Sequence, residues 1–310
     1  MLATHIMTFV DPEQAQSAYH GTVLDYKLLE PGQFHCRMTA FSAGSLLLRR
    51  AEERLGRIAR IAVAPDAVAI VAWLSPPPII RGRQMLAREF MYCTPGTDSL
   101  HRSGSNNDAV SLKMSPAYLS RAAIALTGRP IELRSPQAIR PPPQAAQRFM
   151  SLAGRITQAA PTDGAPPGTE SAYAAAEALT RALVTCLTAA DGSEERTTTC
   201  HQARIMARFV EAVEASVDQP LYMIDLCRDL GVSGRALRAY CHEHLGMSPH
   251  RFLLLRRMHL ARGALLRARP ESTTVTEIAT CFGFWELGRF AVAYRALFGE
   301  SPSATLRCTS

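Results

Sequence analysis

The chain has 310 residues, a length typical of two domains of about 150 residues each. Hydrophobic residues make up 47% and charged residues 20%, which supplies enough apolar side chains for folded cores and excludes a disordered or fibrous protein. The net charge of +7 comes from 34 basic and 27 acidic residues, and only Lys27 and Lys113 among the basic residues are lysines. Arginine is the better donor to phosphates and base edges, although the base composition of a genome also explains such an excess.

Eight cysteines are scattered along the chain, without a C-x-x-C pair or a histidine at zinc-finger spacing. This pattern is typical of buried thiols in a reducing cytosol. The longest apolar stretch, residues 61–74, is interrupted by Pro65 and Asp66 and is too short to span a bilayer. The N-terminus also lacks the charged start and continuous apolar core of a signal peptide. We therefore expect a cytoplasmic protein that does not associate with membranes.

Short apolar runs alternate with turn residues from about Val23 to Met114. Several runs have strand length and a period of two, and turns containing proline and glycine separate them. The predicted strands are residues 23–29, 34–41, 57–64, 68–74, 89–93 and 110–114. This part of the chain is predicted to form a β-rich sandwich or small barrel.

Helical signals follow the strands. Ser115 and Pro116 fit the N-cap and first position of a helix that Gly128 ends. Two further helical stretches are predicted at about 144–158 and about 170–190, separated by a loop rich in Pro, Gly and Ala. A helix pair of this kind fits either dimerisation or an ordinary domain edge.

The polar segment 191–201 lacks apolar periodicity and is predicted to be a linker. We therefore expect an N-terminal domain over residues 1–190 and an all-α C-terminal domain over 202–310, an α+β architecture overall. Residues 197–310 hold 14 arginines and 10 acids. This mild basic excess does not by itself establish nucleic-acid binding.

The C-terminal domain contains one helical unit twice, with an offset of 52 residues before an internal turn and 53 after it. In each copy a short helix with an apolar face is followed by a glycine. A second helix comes next, with apolar residues at positions i, i+4 and i+8. This arrangement is typical of helix-turn-helix motifs, which we place at about 224–245 and about 275–298. A plain helical bundle is the alternative, and the duplicated Gly-x-Ser-Pro ending argues against it. The matching positions are Leu226, Gly231, Leu237, Cys241, Leu245 and Ser248-Pro249, and then Ile278, Gly283, Phe290, Tyr294, Phe298 and Ser301-Pro302.

A single helix from Pro249 to Ala268 is predicted between the two units. Twenty helical residues span about 30 Å, close to the roughly 34 Å between successive major-groove faces of a duplex. Such a helix would hold two reading units one turn of DNA apart. Its arginines are candidates for phosphate contacts or for ion pairs with the acids of residues 211–218.

Residues 202–307 resemble the DNA-binding domain of the AraC/XylS family of bacterial transcriptional regulators. The stretches that carry the resemblance are LCRDLGVSGRAL at 226–237, GMSPHRF at 246–252, RMHLAR at 257–262, EIATCFGF at 277–284 and GESP at 299–302. The resemblance implies a sequence-specific regulator, an activator in many members, that binds double-stranded DNA and RNA polymerase. It also implies a sensor-like N-terminal domain, and leaves open a small-molecule effector and a homodimer.

The resemblance places the first recognition helix at residues 233–244. Its implied DNA-binding residues are Ser233, Arg235, Arg238, Ala239 and His242. In the second unit the resemblance implies contacts from Trp285, Leu287, Arg289 and Arg295. Glu286 and Gly288 stand where the family usually has Asp and Ser, and Val292 where it often has a polar or arginine side chain. We therefore expect the first unit to supply most of the sequence specificity and the second mainly to anchor.

Polar aromatic residues in the N-terminal domain are candidates for an effector pocket: Tyr19, His35, Trp73, Tyr92 and His101. Each is more often a structural residue than a ligand contact. No cluster of His and Glu suggests a metal, so no metal site, cofactor or catalytic residue is predicted.

Two other classes of function are alternatives to a DNA-binding regulator. A DNA-repair alkyltransferase fused to such a domain requires four neighbouring cysteines in its first domain, where this chain has only Cys36 and Cys93. A protein-interaction module that has lost DNA affinity is compatible with the weak second unit and the mild charge. Steep salt dependence of DNA binding distinguishes a DNA-binding protein from such a module.

Overall fold

The computed structural model describes residues 3–19, 22–131, 137–159, 169–192, 197–216 and 221–307. Strands dominate the first part of the chain and helices the last, so the predicted α+β fold class is confirmed. The strands are β1 (Ala3–Phe9), β2 (Thr22–Leu28), β3 (Cys36–Ala43), β4 (Leu46–Glu53), β5 (Arg57–Val63), β6 (Val68–Trp73), β7 (Ile79–Ile80), β8 (Arg83–Gln84), β9 (Phe90–Cys93), β10 (Asp98–Ser103), β11 (Asn107–Met114), β12 (Gln137–Arg140) and β13 (Asp191–Gly192).

The strands form two antiparallel sheets. The larger has the order β1-β3-β4-β11-β6-β9-β12-β13 and the smaller the order β2-β5-β10-β7-β8. Residues of both sheets line one cavity, so the sheets face each other as in the predicted sandwich or small barrel.

The helices are α1 (Pro12–Ser17), α2 (Pro116–Thr127), α3 (Pro143–Gln158), α4 (Thr169–Thr188), α5 (Thr197–Ala215), α6 (Met223–Leu230), α7 (Gly234–Leu245), α8 (Pro249–Arg267), α9 (Val275–Cys281), α10 (Leu287–Phe298) and α11 (Pro302–Arg307). Helix α2 begins at the predicted cap, where Ser115 Oγ accepts the N–H of Tyr118 at 3.1 Å, and Gly128 ends it with φ of 74°. Helices α2, α3 and α4 cover the outer face of the larger sheet.

The strand period of two divides each strand of the larger sheet between two environments. On β4, Leu46 and Leu48 pack under the helices, while Leu47 and Arg49 face the cavity. The prediction missed β4 because LLLRRAEE has no alternation of apolar and polar residues. Both faces of this strand are covered, which removes the alternation that marks a half-exposed strand.

Helix α5 begins at Thr197, within the segment predicted as a linker, while residues 191 and 192 form the short strand β13. The domain boundaries at 190 and 202 stay predictions. Six cysteines are described as free thiols; Cys36, Cys93, Cys186 and Cys241 are buried, whereas Cys227 is half-buried and Cys281 exposed. Within the described ranges, no helix is both long and apolar enough to cross a membrane.

The helical domain packs on the outer face of the smaller sheet, and the two parts share hydrophobic cores. Polar contacts cross the same boundary: the N–H of Leu28 donates to Nε2 of His259 at 3.0 Å, and Lys27 lies 3.5 Å from Glu214. The shared cores include Tyr26 and Leu28 with Met258, Phe290 and Tyr294, and Ile58 with Phe209, Leu237, Leu245 and Phe252.

Candidate nucleic-acid interface

Helices α6 and α7 form the first helix-turn-helix unit. Gly231 ends α6 in the left-handed conformation, with φ of 68°, which glycine adopts without steric cost. Ser233 then caps α7, its Oγ accepting the N–H of Ala236 at 3.1 Å. Leu226 and Leu237 are buried between the two helices and the neighbouring core. The turn at Gly231 and the cap at Ser233 thus fix the angle between α6 and α7.

The outward face of α7 carries the residues that the resemblance implied. At about 100° per residue, Arg235, Arg238, Ala239 and His242 lie within an arc of about 100°, and all four are exposed. Leu237, on the opposite side of the helix, is fully buried. This face is therefore free to enter a groove.

The guanidinium groups of Arg235 and Arg238 have no carboxylate partner in the described part of the chain. Glu243, on the same helix, is exposed and pairs with neither. Unpaired arginines keep all their donors for an external acceptor, such as a phosphate or a guanine edge.

The second unit is built from α9 and α10. The predicted capping box is present, since Thr274 Oγ1 accepts the N–H of Glu277 at 3.2 Å and the Glu277 carboxylate accepts the N–H of Thr274 at 2.7 Å. Gly283 follows α9 with φ of 75°. Glu286, at the N-cap of α10, makes no capping hydrogen bond with its side chain. The beginning of α10 is therefore less well capped than that of α7.

The implied contact residues of the second unit are all exposed. Trp285 is 78% and Leu287 37% exposed. Arg289 is held by Glu286, with 3.0 Å between Nε and Oε2, whereas Arg295 lies one turn from the end of α10 without an ion pair among the described residues. Part of the positive charge of this face is thus neutralised within the protein.

The buried stripes of the two recognition helices establish their register. Phe290, Tyr294 and Phe298 take the places of Leu237, Cys241 and Leu245. By that register Gly288 and Ala291 stand where α7 has Arg235 and Arg238, and Val292 stands where α7 has Ala239.

Val292 was not among the implied contacts, although it is 73% exposed on the groove-facing side of α10. The offset of 53 residues, applied to Ala239, is the sequence signal that identifies it. Apolar side chains in a major groove contact the methyl group of thymine.

Helix α8 joins the two units, but its arginines are not all available to DNA. Arg256 donates to the backbone carbonyl of Glu214 at 2.9 Å, and its Nε lies 3.4 Å from the Glu214 carboxylate. Arg262 pairs with Asp11 and with Glu300. Arg251 and Arg257 are exposed. Two of the candidate phosphate contacts are therefore structural.

A cavity between the two sheets collects three of the five candidate pocket residues: Tyr19, Trp73 and His101. His101 is buried, its Nε2 lies 2.8 Å from Ser99 Oγ, and burial lowers its pKa to about 3. Tyr92 points away from the cavity because it alternates with Cys93 along β9, and it packs in the core under the helices. His35 lies in the segment before β3 and does not line the cavity.

No group of three metal-ligating side chains occurs within the described ranges. The cavity has instead the character of a site for an organic molecule, with aromatic and aliphatic walls and a few polar groups.

Comparison with known proteins places the C-terminal domain. The profile of a family described as "Helix-turn-helix domain" matches residues 226–307. The chain is 47% identical over 103 residues to a probable thc operon regulatory protein of Rhodococcus erythropolis, covering 33% of this chain and 31% of that protein. It is 33% identical over 99 residues to XylDLEGF operon transcriptional activator 2 of Pseudomonas putida, covering 32% of this chain and 63% of that protein.

Among solved structures, a probable AraC family transcriptional regulator from Rhodopseudomonas palustris is 34% identical, covering 34% of this chain and 97% of that one, with a TM-score of 0.32. The AraC-like transcriptional activator CuxR covers 90% of this chain and 100% of its own at 14% identity, with a TM-score of 0.46. The chain spans about a third of the length of the Rhodococcus relative, and the family match lies within the helical domain. The C-terminal domain of this chain is therefore a helix-turn-helix domain of the AraC/XylS type.

Proposed function

We propose that this chain is a sequence-specific transcriptional regulator whose C-terminal domain inserts α7 and α10 into successive major grooves of DNA. The observation that carries the proposal is the pair of exposed guanidinium groups of Arg235 and Arg238 on the outward face of α7, which no carboxylate of the described residues pairs with. Each has the geometry to donate two hydrogen bonds to guanine O6 and N7, worth about 1–3 kcal/mol of discrimination.

The two reading helices have unequal roles in this proposal. Helix α7 supplies most of the specificity, because arginine occupies its groove-facing positions where α10 has Gly288 and Ala291. Helix α10 mainly anchors through Arg295, with Trp285 and Val292 against the apolar surface of the groove. Arg289 contributes less than its charge suggests, since Glu286 competes for it.

Double-stranded DNA is the principal partner, and the N-terminal domain modulates binding as an effector or dimerisation domain. The packing of the helical domain on the smaller sheet supports this coupling, because one sheet separates the cavity from the first reading unit. The relatives are named as a regulatory protein and a transcriptional activator of bacterial operons, which supports an operon regulator that acts in the cytoplasm with RNA polymerase. No enzymatic activity is part of the proposal.

The test begins with selection of genomic DNA fragments bound by the full chain, followed by titration of the best fragment at several salt concentrations. The affinity should fall steeply as salt rises, because displaced counterions accompany each phosphate contact. Binding of no duplex above random competitor would contradict the proposal and favour the protein-interaction alternative.

Three variants then separate the roles of the arginines. Arg238→Ala should weaken the matched site about tenfold or more, and mismatched sites far less. Arg289→Ala should weaken matched and mismatched sites alike. Arg181→Ala removes an exposed arginine of α4 and serves as the control. A larger loss of specificity from Arg289→Ala than from Arg238→Ala would reverse the assignment of the two helices.

A further inference from the structure

We propose that the cavity between the two sheets binds a small organic acid, an apolar molecule with one carboxylate that pairs with Arg49. The inference deepens the proposed modulation by the N-terminal domain, and it rests on the proposed function only for its effect on DNA binding. The cavity itself, its charge and its unpaired donor carry the ligand assignment.

Arg49 is a buried cation that has no counter-ion among the described residues. It lies on β4, near the middle of the larger sheet, and only 6% of the residue is exposed. Its Nε is buried without a hydrogen-bond partner, and the described residues offer its guanidinium no carboxylate. The guanidinium instead stacks over the ring of Tyr19, at 4.5 Å from the ring centroid. Burial of an unpaired charge is costly, so an anion in the cavity would relieve that cost.

Two other ionisable residues that line the cavity add no net charge: Arg57 is paired with Glu53, and His101 is neutral. Glu53 accepts hydrogen bonds from the hydroxyl of Tyr26, from Nε of Arg57 at 2.6 Å and from Nδ2 of Asn107 at 3.0 Å. That carboxylate is therefore committed to Arg57. His101 is neutral near pH 7, because burial lowers its pKa to about 3.

The lining also includes Lys113, which is attracted by Asp66, but no aspartate or glutamate among the described residues. The excess charge of the cavity is thus positive, and it includes the buried Arg49. A buried positive charge attracts an anion more strongly than an exposed one does.

The rest of the wall determines what the carboxylate is attached to. Leu24, Leu47, Ile61, Val71 and Trp73 give the cavity an apolar surface. The cavity has a volume of about 80 Å³, which is several times the roughly 10–15 Å³ that one water molecule needs. This space suits a short branched or aromatic acid rather than a long chain or a nucleotide.

The smaller sheet connects the cavity with the reading unit. On β10, His101 faces the cavity, while Leu100 packs in the core shared with α7. The Arg102 guanidinium lies against Gly246 at the end of α7, where an added Cβ would sit 1.6 Å from it. If a ligand shifts β10 by a few tenths of an ångström, the movement of the strand is therefore transmitted directly to α7.

The binding test uses the full chain without DNA. The probes are sodium phenylacetate and sodium isovalerate, each compared with its carboxamide, which keeps the shape and removes the charge. The readouts are the midpoint of thermal unfolding and the fluorescence of Trp73 in a Trp285→Phe background, since the chain has two tryptophans. At least one acid should raise the midpoint and change the fluorescence, with its amide at least tenfold weaker.

Variants assign the effect to Arg49. Arg49→Met should remove acid binding, whereas Arg37→Met, a half-exposed arginine on the neighbouring strand β3, should keep it. Ala109→Leu narrows the cavity without a change of charge and should also remove binding, which covers the case in which Arg49→Met fails to fold. Equal binding of acid and amide, binding that survives Arg49→Met, or no response to either acid would overturn the proposal. These outcomes are independent of whether the chain binds any duplex.

Discussion

His244 illustrates how single residues tie the two domains together. It lies near the end of α7, only 3% exposed, and its Nε2 is buried without a hydrogen-bond partner. Burial lowers its pKa to about 4, so the ring is neutral near pH 7. The space beside it is lined by three cations and two acids: Arg60, Arg81, Arg204, Asp98 and Glu211.

This environment predicts a loss of stability in mild acid. An unfolded histidine has a pKa of about 6.5, so between pH 6.5 and 4 the unfolded chain binds a proton that the folded chain excludes. The free energy of unfolding should therefore fall as the pH decreases through this window, by about 2 kcal/mol at pH 5 for His244. Urea unfolding at pH 7 and pH 5 measures the difference.

His242 provides the matched control for this prediction, because it lies on the same helix and is exposed. His244→Gln should make the pH dependence between pH 5 and 6.5 shallower, with His101 still contributing to the slope, while His242→Gln should leave it unchanged. Equal slopes in the two variants would show that His244 does not titrate on unfolding.

Residue type alone identified only part of the cavity. Tyr19, Trp73 and His101 were predicted as pocket residues because aromatic and imidazole side chains are common ligand contacts, and all three line it. Arg49 was not predicted, because arginine is normally a surface residue and residue type does not distinguish Arg49 from the adjacent Arg50. Only the pleat of β4 distinguishes the two: Arg49 faces inward, whereas Arg50 pairs with Asp108 at 2.7 Å.

At the scale of elements, local signals predicted the helical domain better than the sheets. Capping sequences at Ser115, Ser233 and Thr274 begin helices where expected, since each cap depends on residues within one turn. Strands β1, β4 and β10 were missed. Their pairing joins segments far apart in sequence, and the coverage of both faces hides the period of two in β4.

The unequal recognition helices lead to a prediction at Gly288. This residue stands in the place of Arg235, and a Cβ added there would meet nothing within 4 Å. Gly288→Arg should therefore be accommodated, should strengthen DNA binding, and should steepen the slope of log K against log salt by about one unit. Titrations at four or more salt concentrations provide the slope.

Gly288→Ala separates the new charge from the change in backbone entropy. It should stabilise the beginning of α10 slightly, because alanine is the better helix former, and leave the salt slope unchanged. A steeper slope in the alanine variant, or none in the arginine variant, would show that this face of α10 does not approach the phosphates.

At the scale of the whole molecule, the docking of the two domains was not predictable from local patterns. The hydrogen bond from Leu28 to His259 joins residues 231 positions apart, and the Arg262–Asp11 pair joins residues 251 apart. The sequence around either partner contains no pattern that indicates contact with the other. The apolar residues were correctly expected to form cores, but besides two cores within the N-terminal domain this fold has two that span both domains.

The shared cores predict that the two domains unfold together, and Gly82 tests the contact that joins them. Gly82 has φ of 78°, and a Cβ added to it would lie 2.5 Å from Nε2 of His244. Gly96 has φ of 71° with nothing within 4 Å of an added Cβ. Alanine at either position pays about 1–2 kcal/mol for the left-handed backbone, so the difference between the two variants isolates the contact between domains.

Gly82→Ala should therefore lower the free energy of unfolding more than Gly96→Ala does. It should also increase the radius of gyration measured by small-angle X-ray scattering, because the clash with His244 separates the helical domain from the smaller sheet. If the domains act as one unit, Gly82→Ala should further make DNA affinity insensitive to whatever occupies the cavity, while Gly96→Ala retains that response. Identical stabilities and radii for the two variants would mean that the contact at Gly82 does not hold the domains together.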